Sequence, residues 1–295
     1  MSYLILIDKP KGVTSFRAVA EIKKKLHIKR VGHCGTLDPM ATGVLPVLTG
    51  RAARLSSYML AADKRYIAGV RLGITTGTLD ITGQITGEFP VSVDDEQLKA
   101  TLSKFQGEIL QVPPMYSALK RDGVRLYELA RRGEEVKREP RAVTIHEINL
   151  IQRLNETDFL IDVFCSKGTY IRTLADDIGK ALGCGAALFE LRRTEAAGFT
   201  ADECTPLEKI ISDDSNTFLK DPQLCVMHLP KITVTEAQAN RFKNGGGLSF
   251  NRLRPEFQLC DGLQCRVLCG EEFLGLGQVS FSKEELTVTC VISED

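Results

Sequence analysis

At 295 residues, with 38 basic and 38 acidic side chains, the chain can bury a sizeable core in one or two domains, and its balanced charge does not by itself demand a polyanionic partner. No apolar run approaches membrane-spanning length. The N-terminal Tyr3-Leu4-Ile5-Leu6-Ile7 is too short for a signal segment, and nine cysteines scattered through apolar stretches fit reduced core thiols in a cytoplasmic protein.

The first predicted strand covers Leu4 to Ile7, and Phe16, Val19, Ala20 and Leu26 mark a helix after Thr14-Ser15. The basic run Lys23-Lys24-Lys25-Leu26-His27-Ile28-Lys29-Arg30 leads into Gly32 to Pro46, read as one constrained loop. Gly32, Gly35 and Gly43 permit turns closed to other residues, Pro39 pushes Asp38 out of the helical region, and Thr36 and Thr42 are placed to tie the loop to itself. A loop so constrained presents one carboxylate, Asp38.

Further strands are expected at Lys64 to Leu72, Val143 to Leu150, Phe159 to Cys165 and Ala187 to Arg193, with helices around Leu98 to Phe105, ended by Gly107, and Tyr170 to Ala181, ended by Gly183. Strands and helices do not alternate strictly, so the fold class is α/β of the α+β kind, with a mixed sheet. Between these elements, about 113–141 is a polar interruption carrying Lys120, Arg121, Arg125, Arg131, Arg132, Lys137, Arg138 and Arg141, with a short helix closed by Gly133. Each basic run reads alone as a solvated face. Two runs flanking one constrained loop suggest a phosphate-contacting rim.

The acidic, turn-rich stretch 202–225 reads as a linker, giving domains 1–225 and 226–295. Beyond it a short strand at Ile232 to Val234, a helix capped by Thr235, a Gly245-Gly246-Gly247 break and three strands at Leu263 to Cys269, Phe273 to Phe281 and Leu286 to Ile292 make a compact β-rich unit. Its seven basic and nine acidic residues give a formal charge of −2, unusual for an RNA-binding module.

Gly32 to Pro46 resembles the catalytic loop of the TruB family, tRNA pseudouridine synthases that act on the uridine at position 55 of the T loop. Asp8 to Ser15, Asp63 to Tyr66, Thr78 to Gly83, Val112 to Ala118, Cys165 to Leu174 and Leu191 to Thr194 match the family in order. The resemblance implies a largely antiparallel catalytic sheet, a thumb at about 113–141 that closes over RNA, and a C-terminal PUA-like module. It implies Asp38 as the catalytic aspartate, Tyr66 as the aromatic against the target base and Arg172 as the charge partner. His33, Asp80, Leu191 and the Lys23-Lys24-Lys25 run become substrate contacts, and Lys9, Pro10, Gly35 and Pro39 become loop supports. The partner is then the tRNA T stem-loop, met by a monomer without cofactor or metal.

Other chemistries fit less well. Cys260, Cys265 and Cys269 lack the tight spacing of a zinc knuckle, and Cys34 beside His33 has no further hydrolase signature. Asp38 and Asp80 as a glycosidase pair would need water at the anomeric carbon, whereas pseudouridine formation must retain the freed base and exclude water. Arg172 has a physical task, because a carboxylate in a low-polarity pocket tends to gain a proton. A guanidinium about 4 Å away is worth about 4 kcal/mol at an effective dielectric near 20. The different-class alternative is a non-catalytic RNA-binding or RNA-folding protein on the same scaffold.

Overall fold

A computed structural model describes residues 1–293 other than 118 and 122. The main sheet contains β1 (Leu4–Lys9), β2 (Val31–His33), β3 (Thr42–Thr49), β4 (Lys64–Leu72), β5 (Gly107–Gln111), β6 (Arg141–Arg153), β7 (Asp158–Cys165) and β8 (Ala186–Ala196). In space the order is β1-β3-β8-β4-β7-β6-β5, with β2 added to β3. Neighbours are antiparallel except β3 with β8 and β1 with the short segment Thr205–Pro206, so the sheet is mixed and largely antiparallel.

Three helices, α1 (Ser15–Leu26), α2 (Asp95–Ser103) and α3 (Ile171–Ala181), cover one face of this sheet. Their Val19, Ile22, Leu98, Leu102, Leu174 and Ile178 share a buried cluster with Ile5, Ile7, Val70 and Ile161. Asp94 begins α2 with a capping box to Gln97, and the helix ends at Ser103, so Gly107 opens β5 rather than closing a helix.

The buried side of α1 differs from the expected one. Ser15, Ala18, Val19 and Ile22 face inward, whereas Phe16 and Ala20 face solvent. The loop expected from Gly32 to Pro46 also shrinks, since its ends are β2 and β3. Gly32 lies in β2, and only Gly35 and Gly43 take positive φ, at 114° and 101°.

The supposed linker is part of the sheet. Thr205–Pro206 and Leu219–Lys220 both pair with β1, and Leu207, Ile210, Phe218, Cys225 and Val226 are buried. Its acidic residues occupy the turns between these short pieces.

The C-terminal unit comprises β9 (Lys231–Thr233), α4 (Glu236–Lys243), β10 (Gln264–Cys269), β11 (Glu272–Ser280) and β12 (Glu285–Val291). These strands lie in sequence order, with Leu248–Ser249 added beyond β12, and Thr235 caps α4 through a box with Gln238. Cys265 and Val267 are fully buried in its core, Cys269 packs against that core, and Cys260 is exposed. A second cluster joins this unit to the catalytic sheet: Leu4, Leu6, Val44, Leu48, Leu55 and Met59 pack with Leu268, Phe273, Leu276 and Ile292. Arg51 donates to the Ser293 carbonyl, Arg54 to that of Val291 and Tyr58 to the Gln264 side chain across the same seam. A cut near Val226 therefore bares a continuous core, against the expectation of separable ones.

Candidate active site

The Asp38 loop is fastened by residues distant in sequence rather than by its own threonines. The Ser15 hydroxyl bonds the Leu37 amide at 2.9 Å and the Leu37 carbonyl at 3.1 Å, and the Gly12 amide donates to the Pro39 carbonyl at 2.7 Å. Within the loop, the Ala41 amide closes a turn on the Asp38 carbonyl at 3.0 Å. Thr36 is exposed, and the Thr42 hydroxyl faces the Arg192 guanidinium.

From the other side the loop is held by β8, which runs parallel to β3 with Arg192 opposite Thr42 and Arg193 opposite Gly43. Arg193 is 1% exposed and donates to the Val44 carbonyl at 2.7 Å and the Gly35 carbonyl at 3.1 Å. Arg192 makes a two-pronged contact to Asp8 at 3.0 and 2.9 Å. A side chain at Gly43 would place its first carbon 2.1 Å from the Arg193 carbonyl oxygen, so glycine is required there for space as well as for φ. None of these clamping roles was read from the sequence, although Arg193 lies two residues from Leu191 on one strand and so shares its inward face.

Asp38 meets Arg172 at 2.8 Å between Oδ2 and Nε, and the same Nε lies 3.8 Å from Asp80 Oδ2. Arg172, one residue into α3, is 5% exposed and spends its other nitrogens on the Thr78 carbonyl at 3.1 Å and the Tyr116 carbonyl at 2.8 Å. One cation thus joins the Asp38 loop, the Asp80 turn and the root of the 113–141 excursion. Asp80 is held by the Thr78 hydroxyl at 2.8 Å, the Thr82 amide at 2.9 Å and the Thr82 hydroxyl, which leaves its second oxygen toward Arg172.

Burial pushes the Asp38 carboxyl above its ordinary range; Arg172 opposes that shift and Asp80 adds to it. A third of the side chain stays open to solvent, so the ionised form keeps some hydration while its other side faces protein. Tyr66 is buried on β4, opposite Val163 and Arg193, and packs in one cluster with Leu37, Met40 and Leu191. Burial raises its phenol, with Arg193 opposing, so the ring stays neutral beside Asp38. These residues form the apolar wall that the sequence placed around the carboxylate.

Lys9 is fully buried and donates to the carbonyls of Pro10 at 2.9 Å and Val13 at 2.7 Å, bracing the turn that in turn bonds Pro39. Burial lowers its pKa to about 8, against an opposing pull from Asp38. His33 ends β2 with its Nδ1 buried and without a partner among the described residues; burial and then Arg193 lower its pKa, favouring a neutral ring. Cys34 is buried and its thiol is pushed up to about 12, which makes it a poor nucleophile.

Of the basic run, Lys23 and Lys24 are exposed, but Lys25 is paired with Asp214 at 2.7 Å and is mostly covered. The excursion is a hairpin of Lys120–Arg121 and Val124–Arg125 followed by a helix at Leu126–Arg131. Arg121, Arg125, Arg131, Arg132 and Lys137 are exposed, whereas Arg138 turns back to the Pro113 carbonyl and Glu135. The Lys120 side chain, like Ala118 and Asp122, lies outside the described residues.

Residues 23–171 match the family model described as the TruB family pseudouridylate synthase N-terminal domain, and 172–221 match the tRNA pseudouridylate synthase B C-terminal domain. The chain belongs to the TruB family. A TruB relative, tRNA pseudouridine synthase B of Azoarcus sp. strain BH72, is 47% identical over 93% of this chain and 90% of its own length. The protein of the same name from Stutzerimonas stutzeri strain A1501 is 51% identical over 71% of this chain and 68% of its own. Among solved structures, a Cbf5-Nop10-Gar1 complex contains a chain that is 27% identical, with a TM-score of 0.74 over 99% of this chain and 85% of that one. An H/ACA RNP bound to a substrate RNA containing 2'-deoxyuridine shares the fold at 24% identity and a TM-score of 0.74. Both family-model matches stop before residue 226, so the C-terminal β unit lies outside them.

Proposed function

We propose that this TruB-family enzyme isomerises the uridine at position 55 in the T loop of tRNA to pseudouridine, acting as a cytoplasmic monomer with Asp38 as its catalytic residue. The observation that carries the reading is the 2.8 Å contact between Asp38 and the buried Arg172 beside the Tyr66 and Leu191 wall. A stacked or paired uridine must leave its helix before C1′ and C5 can be reached, at a cost of a few kcal/mol. Exposed cations at Lys23, Lys24, Arg131 and Arg132 supply phosphate contacts that offset this cost.

Within the pocket Asp38 acts ionised, whether it adds to C1′, adds to C6 or removes the C2′ proton. Arg172 keeps the charge on the carboxylate as substrate displaces water. Tyr66 stacks on the flipped ring, Leu191 supports its apolar side, Asp80 holds a polar edge through Arg172, and His33 fills the space left by the extruded base. The glycosidic bond breaks, the uracil turns, and C5 recombines with C1′ before water enters.

Release of tritium from C5-labelled uridine in a transcribed tRNA tests this reading, because the new C–C bond must expel that label. The wild-type protein is expected to release one equivalent per tRNA, and to lose release when U55 is replaced. Asp38→Asn is expected to remain folded and bind RNA while release falls on the order of 10³-fold or more. Release near the wild-type rate from Asp38→Asn would overturn the assignment of Asp38, and release from a tRNA lacking U55 would overturn the target.

A further inference from the structure

The solvent face of α1 carries a feature that the active-site chemistry does not use. Phe16 is 79% exposed, although it lies in a helix whose inward positions offer apolar cover. At 100° per residue, Phe16, Ala20 and Lys23 fall within about 60° of one another, and Arg17 and Lys24 flank them. All five are exposed. The stripe thus has an aromatic ring at one end, a small residue in the middle and cations at the other end, with about 10 Å between Phe16 and Lys23 along the axis.

A single exposed apolar side chain is ordinary on a protein surface. Phe16 is set apart by its attachment to the catalytic loop. Its neighbour Ser15 is 2% exposed and bonds both backbone groups of Leu37, the residue before Asp38, while Gly12 bonds the Pro39 carbonyl. The Thr14 side chain caps α1 through the Arg17 amide at 3.0 Å, which fixes the first turn. The ring is therefore held in register with the Asp38 loop by the same bonds that hold that loop, next to exposed Lys11 and Arg17.

We infer that Phe16 is a stacking platform for an unpaired base of the RNA substrate next to the uridine held at Asp38, with Arg17, Lys23 and Lys24 taking the phosphates of the strand that leads away. This rests on the proposed RNA substrate and adds a binding position to it. Every base has a π-face, so an aromatic ring binds loop nucleotides without reading their sequence, and the cations complement the backbone charge. The small Ala20 leaves the strand free to pass from ring to cations.

The chain has no tryptophan, so Phe16→Trp gives a protein with a single indole at the site. Binding of a T stem-loop RNA is expected to quench its fluorescence, whereas a fully paired duplex of equal length, which offers phosphates but no free base, is expected to leave it nearly unchanged. Phe16→Ala and Phe16→Leu are expected to weaken stem-loop binding on the order of tenfold, with Phe16→Tyr close to wild type. An unquenched indole, equal quenching by duplex, or full affinity in Phe16→Leu would each overturn the stacking role. Tritium release by the wild-type protein is measured beside it, so loss of the stacking role and loss of the isomerase reading are separate results.

Discussion

The Asp38 loop and the 113–141 excursion both face the proposed RNA, yet they are built in opposite ways. The loop takes its fastenings from Gly12, Ser15, Arg192 and Arg193, contributed by elements up to about 180 positions away in sequence. The excursion largely bonds to itself: Arg121 donates to the Lys137 carbonyl at 2.6 Å, Arg138 pairs with Glu135, and Arg125 and Arg131 lie over the Tyr127 ring at 5.9 and 5.4 Å. Chemistry at carbon needs a carboxylate fixed to within fractions of an ångström, whereas gripping a bulky RNA needs charges that can regroup. The two meet only where the Tyr116 carbonyl accepts from Arg172.

Arg172→Ala gives the largest expected effect. Loss of the guanidinium should lower the single-turnover rate on the order of 10²-fold or more, a discount on the full Coulomb value because Asp38 is partly hydrated. Arg172→Lys should retain more of the rate, since the charge stays while the links to Thr78 and Tyr116 weaken. Equal rates in the two variants would show that the links, and not the charge, are what the site uses.

Glycine substitutions then separate the two regions by stability. Gly43→Ala drives a carbon into the Arg193 backbone at positive φ and should cost about 3 kcal/mol or more in urea unfolding. Gly133→Ala, in the excursion, also has positive φ, at 76°, but meets nothing within 4 Å and should cost only about 1 kcal/mol. Similar costs at both sites would erase the contrast between a packed loop and an open one.

The raised Asp38 carboxyl predicts a pH effect confined to the first region. Only the ionised form acts, so the rate should fall as pH drops through a midpoint above the ordinary carboxylate range, and Arg172→Lys should move that midpoint if the charge is less well placed. For stability the sign is reversed. A carboxyl with a raised folded pKa holds its proton more tightly when folded, so its contribution is present in acid and lost as pH rises through that value. Asp38→Asn should thus unfold slightly later than wild type at neutral pH and converge with it in acid.

The smallest effects belong to exposed cations. Lys23→Ala and Lys24→Ala should each lower the salt slope of RNA binding by about 0.9, a value set for duplex backbones. Lys25→Ala should change it less, because that amine is already committed to Asp214. An unaltered slope in the Lys23 and Lys24 variants would return this face to plain solvation.

Regular alternation and end signals made much of the fold legible in the sequence. β4 shows its inward Tyr66, Ala68, Val70 and Leu72, and α3 begins and ends where Tyr170 and Gly183 place it. β3 was hidden because Pro46 argues against a central strand. The proline sits opposite Leu6, beyond the two positions at which β8 pairs, and its carbonyl serves the Cys34 amide. Phe16 misled for a different reason: hydrophobicity marks a helix, but only the packed neighbours decide which of two apolar stripes turns inward. The pairing of Asp38 with Arg172 followed from motif and electrostatics, whereas the Arg193 clamp required two strands to meet in parallel across about 150 positions.

The seam between the catalytic sheet and the C-terminal unit has a consequence for synthesis on the ribosome. Leu4 and Leu6 emerge first, but Leu268, Phe273 and Leu276, which cover them, are about 260 codons downstream. At about 5 to 20 residues per second, that leaves one face of the first strand uncovered for on the order of 10 to 50 s. The nascent chain therefore carries a sticky, half-finished sheet through most of its translation, a natural target for a chaperone that holds apolar segments until the last strands arrive.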